Sequence, residues 1–136
     1  MEPLIAALGM VLNVQVLVVM ILSALFGLFV GTVPGLTATM ATALLVPITF
    51  FLPPIPAVAA MVTATAMAIF AGDIPGCLVR IPGTPASAAY VDETHRMTQQ
   101  GHAETALGVS LVFSVIGGLF GTAVLMFAAP ALANAA

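Results

Sequence analysis

Four uncharged apolar stretches run along the chain, separated by short breaks that carry proline and glycine. The first, Val16 to Val33, has no charged residue and approaches the roughly 18 to 20 residues that a membrane-spanning helix needs, so it predicts a helix over 16–33. Before it, residues 1–15 lack a basic leader and an A-x-A cleavage site. They predict an interfacial lead-in, with Asn13 and Gln15 near the headgroups, and a first helix kept in the mature protein.

Pro34-Gly35 ends this run, because proline disfavours helix in the residue before it and glycine permits a turn. A second helix is predicted over 36–52, kinked at Pro47, with the freed carbonyl met by neighbouring helices or by Thr49. Pro53-Pro54-Ile55-Pro56 stops it. The third run, 57–71, is short and rich in alanine and threonine, which places it inside a bundle rather than against lipid. The fourth, 105–129, is expected to end before Pro130. Its Gly117 and Gly121, four residues apart, read as ordinary helix packing more readily than as a specific dimer interface.

Between the third and fourth runs lies a polar segment, 72–104, holding every charge but Glu2: Asp73, Arg80, Asp92, Glu93, Arg96 and Glu104, with His95 and His102 among them. The pattern predicts an all-α membrane protein of about four transmembrane helices with Pro-Gly-interrupted segments. The whole chain, 1–136, is expected to form a single transmembrane domain. The spacing leaves open whether 72–91 is a re-entrant hairpin or a surface loop.

Composition agrees, since 62% of residues are hydrophobic and only 5% charged, against about 25% charged in soluble domains. Mean hydropathy is +1.24. Two basic residues and a formal charge of −3 leave no footprint for nucleic acid, and give the positive-inside rule little to act on. If Arg96 marks the cytoplasm, the 92–104 loop lies inside and 53–56 outside. Cys77 has neither a disulfide partner nor a CxxC spacing and reads as a small buried residue. Glu93, His95 and His102 lack a recognisable metal-ligand spacing, and no metal site is assigned. Ser87 and His95 have no nucleophile context around them, so no catalytic residue and no enzyme is expected.

The polar chemistry concentrates in G-D-I-P-G-C-L-V-R-I-P-G-T-P-A-S, residues 72–87. Val33-Pro34-Gly35, Ile74-Pro75-Gly76 and Ile81-Pro82-Gly83 repeat one device, a β-branched residue held extended by the proline after it and then a glycine free to turn. Thr84 is a good N-cap and Pro85 suits the first helical position, which predicts a helix start with the amides of Ala86, Ser87 and Ala88 free for a carboxylate or phosphate. Gly35-Leu36-Thr37-Ala38 predicts a second such terminus. Helices broken near the midplane, with amino ends aimed at an anion, are a transporter device. The bland alternative is that Pro-Gly merely ends helices. Asp73 and Arg80, seven residues apart, are expected either to pair and hold the segment in shape or to serve ion coupling through Asp73. The other charges read as a solvated loop.

Three stretches, G-T-V-P-G-L-T-A-T-M-A-T-A-L-L-V-P-I-T-F (31–50), A-G-D-I-P-G-C-L-V-R-I-P-G-T-P-A-S-A-A (71–89) and G-H-A-E-T-A-L-G (101–108), resemble in order and spacing the large permease subunit of the tripartite tricarboxylate transporters, the TctA family. The resemblance spans roughly 20–133. It implies a bacterial inner-membrane, multi-pass secondary transporter for citrate and related carboxylates. Such a permease works with a small membrane subunit and a periplasmic substrate-binding protein and is driven by an ion gradient, Na+ or H+, with no further cofactor. The matching positions Pro34, Gly35, Thr37, Pro82, Gly83 and Thr84 then face substrate, joined by Ser87. The family commonly has G-G-S where Gly72-Asp73-Ile74 stands and D-G-Y-P near Glu93-Thr94-His95-Arg96, which separates this chain from the family pattern where substrate identity is at stake. Its members are several times longer, so the resemblance covers an amino-terminal part, and the ending L-A-N-A-A reads as a truncated or partial product. Two other readings stand beside it. One is a structural or assembly subunit with no substrate site. The other is a compact multidrug exporter, disfavoured because the first helix has no acid for a cationic substrate.

Overall fold

The computed structural model describes residues 2–133, and the side chains of 6–129. Seven helices follow in order: α1 (Glu2–Val11), α2 (Val14–Thr32), α3 (Ala38–Thr49), α4 (Pro54–Ala71), α5 (Asp73–Val79), α6 (Val91–Gln99) and α7 (Ala103–Ala133), and there is no strand among the described residues. The lead-in is thus helical, and Asn13 caps α2 by accepting from the Gln15 amide at 3.1 Å.

Three helices are long and apolar enough to cross a membrane: Val14–Thr32, the near-continuous Pro54–Val79, and Ala103–Ala129. At 1.5 Å per residue their 19, 26 and 27 residues reach about 28, 39 and 40 Å, enough for a hydrocarbon layer of about 30 Å. The predicted 36–52 helix is shorter than its apolar run. Its helical part, α3, has 12 residues and reaches about 18 Å. Non-helical residues at both ends complete its return. Thr49 Oγ1 donates to the Val46 carbonyl at 2.8 Å, not to the Ala43 carbonyl that Pro47 leaves without a donor.

The core is a seam of small residues. Ser23, Gly27 and Gly31 on α2 are buried, and Ala60, Ala64, Ala68 and Ala71 on α4 are buried against them. A Cβ at Gly27 would overlap the Ala64 carbonyl oxygen. One at Gly31 would overlap the Ala68 carbonyl oxygen and lie 2.7 Å from Ala71 Cβ. The constant offset shows α2 and α4 running parallel in register. Between them α3 runs the other way: Ala41 meets Val30 and Ala68, and the Thr42 and Thr65 hydroxyls lie 2.9 Å apart across α3 and α4. Such interhelical contacts between hydroxyls are worth about 0.6 kcal/mol in a bilayer.

The alanine-rich third run packs its small residues into the seam, while Ile55, Val58, Val62 and Ile69 on its other side stay exposed. Among the described residues nothing lies within 4 Å of a Cβ built at Gly117, Gly118 or Gly121, so the α7 glycines meet no partner there. Two expectations are corrected. α7 continues past Pro130 to Ala133, because a proline deletes one helical donor and membrane helices tolerate that loss. The polar segment 72–104 is not one loop, for Asp73–Val79 extends the third spanning helix and Val91–Gln99 is a polar helix of its own.

The seam sets a contrast between two glycines. Gly27→Val is expected to weaken the α2–α4 association by about 1–3 kcal/mol or more, since a branched side chain would be forced against backbone, whereas Gly117→Val leaves the fold unchanged. Unfolding in mixed micelles by a denaturing detergent, followed by circular dichroism, measures both. Equal midpoints would mean that the seam does not hold the bundle.

Candidate functional site: two Pro-Gly turns and a buried carboxylate

The first turn forms as its residues predict. Val33 is extended (φ −85°, ψ 114°), Gly35 has φ +93°, and the Leu36 amide donates to the Val33 carbonyl at 3.1 Å. Proline followed by a left-handed glycine makes this a type II turn. Thr37 then caps α3, its Oγ1 accepting from the Met40 amide at 3.3 Å. The Ala41 amide closes on the Thr37 carbonyl, which leaves the amides of Ala38 and Thr39 without an intrahelical acceptor.

The second copy does not break a helix. Ile74-Pro75-Gly76 lies inside α5, and the interruption falls at Gly72, in the turn before Pro75, where the Ala71 carbonyl has no proline N–H to accept. Restarting there puts Pro75 in the first helical turn, where a missing N–H is tolerated.

The third copy turns back on that break. α5 ends at Arg80, whose backbone is left-handed (φ 60°), and the chain returns alongside α5 until the Gly83 amide donates to the Gly72 carbonyl at 3.1 Å. A Cβ on Gly83 would lie 2.5 Å from Gly72 O and 2.6 Å from Gly72 Cα. Gly83 is therefore glycine for close backbone approach and not for a left-handed turn. Because Gly31 of α2 packs on Ala68 and Ala71, just before Gly72, the Pro34-Gly35 and Pro82-Gly83 turns lie at the same end of the α2–α4 pair.

The helix predicted at Thr84 is corrected to a single 3₁₀ turn, Ser87–Ala89. Thr84 Oγ1 accepts from the Ser87 amide at 3.1 Å, Ser87 Oγ accepts from the Thr84 amide at 3.0 Å, and the Ala88 amide bonds the Thr84 carbonyl at 3.3 Å. This is a reciprocal capping box, and it consumes two of the three amides expected to stand free. Ser87, 1% exposed, also donates to the Thr84 carbonyl at 2.8 Å.

Asp73 and Arg80 do not pair. Arg80 Nε bonds Asp92 Oδ1 at 2.7 Å, with both side chains exposed. That contact holds the Asp92 carboxyl below its ordinary range and raises Arg80, but in water it contributes little stability. Asp92, Glu93 and Arg96 lie on α6 rather than in a loop, Glu104 lies in the first turn of α7, and His95 Nδ1 is 2.9 Å from the Cys77 carbonyl. Among the described residues no three metal-binding side chains cluster.

Asp73, 5% exposed, accepts instead from the Tyr90 hydroxyl at 2.9 Å and from the Ser110 hydroxyl of α7. Neither donor was nominated from sequence. Ser110 is 37 residues from Asp73, with no local spacing to connect them, and the one available signal was that Tyr90 is the only tyrosine in the chain. Tyr90 and Ser110 also line a cleft of about 440 Å³ between α6 and α7, with Thr94, Val109, Phe113 and Ser114. Burial, then the hydrogen bond and the negative charge of Asp73, push the Tyr90 phenol up to about 12.

The fold and these breaks define a multi-pass helical membrane protein whose backbone is interrupted beside a buried acid. Residues 17–136 match the model of the tripartite tricarboxylate transporter TctA family, and the chain belongs to that family. It is 32% identical over 112 residues to a protein of Agrobacterium vitis described as an uncharacterized 52.8 kDa protein in the TAR-I ttuC' 3'region. The match covers 82% of this chain and 22% of that relative, so the chain spans about a fifth of the relative's length. No solved structure matches.

Tyr90 can be titrated alone by tyrosinate absorbance, because the chain has one tyrosine. A midpoint near 12 is expected for the chain in detergent, falling toward 10 but staying above it in Asp73→Asn, where burial persists and the charge is gone. Since the folded phenol holds its proton longer than the unfolded one, stability from this group is complete below pH 10 and is lost as pH rises toward 12. An ordinary midpoint in the wild-type chain would break the Tyr90–Asp73 contact.

Proposed function

We propose that this chain is the amino-terminal part of a tricarboxylate permease of the bacterial inner membrane. It carries citrate-like carboxylates delivered by a periplasmic binding protein, beside a small membrane subunit, with an ion gradient as the driving force. The observation that carries this reading is the family match over 17–136, which includes both Pro-Gly turns. The substrate carboxylate sits at the start of α3, on the amides of Ala38 and Thr39 with Thr37 and the Pro34-Gly35 turn around it. A helix amino end supplies partial positive charge there without any basic residue. Pro82, Gly83, Thr84 and Ser87 form the facing wall, kept rigid by the Thr84–Ser87 box. Asp73 and Arg80 act separately in this scheme, because Arg80 is committed to Asp92.

Ala38→Pro tests the anion site with little disturbance. Position 38 is the first residue of α3, where proline is tolerated, and Thr37 before it is already extended (φ −106°, ψ 161°). The change deletes one substrate-facing amide. A lost hydrogen bond to a charged group is worth about 1.5–3 kcal/mol, so KM for citrate in the complete transporter is expected to rise about tenfold or more, at unchanged membrane levels. Unaltered KM would move the carboxylate elsewhere, and absence of uptake by the wild-type transporter with its binding protein would leave the chain an assembly subunit.

A further inference from the structure

Asp73 is a carboxylate inside an apolar spanning helix, and no cation meets it. The elements packed on α5 account for every titratable group nearby. On α5 and its cap are Cys77 and Arg80. The loop before α6 brings Tyr90, and α6 brings Asp92, Glu93, His95 and Arg96. His102 and Glu104 stand at the start of α7, while α2, α4 and the 3₁₀ turn bring none. Arg80 is paired with Asp92, His95 contacts the Cys77 carbonyl, and Glu93, Arg96, His102 and Glu104 are exposed. What touches Asp73 is two hydroxyls, Tyr90 on Oδ1 and Ser110 on Oδ2.

From this geometry we infer that Asp73, Tyr90 and Ser110 form a proton-binding site, in which Asp73 alternates between a carboxylate holding both hydroxyls and a neutral acid donating to Ser110. The coupling role of that proton rests on the transport reading above; the site itself does not.

Three features support it. A buried carboxylate without a cation is costly, and taking up one proton removes that cost without moving a heavy atom. Ser110 suits both states, because a serine hydroxyl donates one hydrogen and accepts through two lone pairs, so it can turn from donor to acceptor in place. The cleft reaches two members of the trio, Tyr90 and Ser110, with Thr94 and Ser114 as further hydroxyls along its wall, while Asp73 itself is buried. A sodium ion fits less well. It needs the same two hydroxyls to aim lone pairs inward while both already point hydrogens at the carboxylate.

Protonation also changes a joint. Asp73 ties α5 to the loop before α6 through Tyr90 and to α7 through Ser110, and the apolar span of α7 is otherwise exposed but for a few residues near its start. Charge on Asp73 strengthens both bonds, because hydrogen bonds to an ionised acceptor are about twice as strong as neutral ones.

With one tyrosine and no tryptophan, the chain carries its own reporter. In liposomes of neutral lipid, Tyr90 emission is expected to rise in a single-proton step on acidification, as its carboxylate partner is discharged. An infrared carboxyl band is expected to appear with the same midpoint. Both are lost in Asp73→Asn. If that variant does not fold, Ser110→Ala, which keeps the acid and removes the acceptor of its neutral form, is expected to keep the step and to shift the frequency of the carboxyl band. A step that persists in Asp73→Asn, no carboxyl band at any pH in the wild type, or an emission change driven by sodium at fixed pH overturns the site. In the complete transporter, Asp73→Asn is expected to lose the response of citrate accumulation to an imposed pH gradient, and a retained response overturns the coupling role. Absence of citrate uptake by the wild type would sink the transport reading alone, since the emission step reports on the proton without it.

Discussion

Two apolar helices in a bilayer gain nothing by hiding from water, so what joins α2 to α4 is how near their backbones come. Gly27 and Gly31 face Ala64 and Ala68 with no side chain between them, and the carbonyls of α4 fill the space a Cβ would take. The rest of the architecture follows from that seam. Because the two helices run parallel, the chain must travel back between them, and α3 with its non-helical ends makes the return. The Pro34-Gly35 turn is thereby fixed at the carboxyl end of α2, level with the last turn of α4.

At that level the chain uses the same device again. Gly83 lies against Gly72, backbone to backbone, exactly where helical hydrogen bonding is interrupted, and its amide goes to the Gly72 carbonyl. Irregular backbone within an apolar span survives only when its polar groups find partners inside the protein. The Thr84–Ser87 box serves the same need a few residues on. The break therefore admits polar atoms beside an apolar helix without leaving them unpaired, and Asp73 is the first residue after it.

Much of this was legible in the sequence, and the failures share one cause. Long uncharged runs and proline-glycine breaks locate the spanning helices, because length and missing donors act locally. The alanine content of 57–71 likewise pointed to close packing on one face, and a turn at Val33–Leu36 followed from Pro34 and Gly35 alone. Pro75 misled, since Ile74, which it was expected to hold extended, lies inside α5, and the interruption falls earlier, at Gly72, where the Gly83 backbone packs from across a loop. Arg80 misled for the same reason. Two helical turns separate it from Asp73 in sequence, yet its left-handed backbone at the end of α5 sends the side chain to Asp92. The glycine pair of α7 drew attention by spacing alone, while Ser23, Gly27 and Gly31 on α2 have the same four-residue spacing and a partner that matches it.

The buried acid shows how the two levels meet. The neighbours of Asp73 are arranged around its carboxylate: remove it, and Tyr90 and Ser110 each lose the acceptor of a hydroxyl. The trio thus behaves as one unit, set at the junction of a broken helix, a loop and a helix that is otherwise little attached. A charge in that position cannot be relieved by the nearby arginine, because Arg80 is turned outward to Asp92. In the site proposed above a single proton relieves it, with Tyr90 and Ser110 already in place around both oxygens.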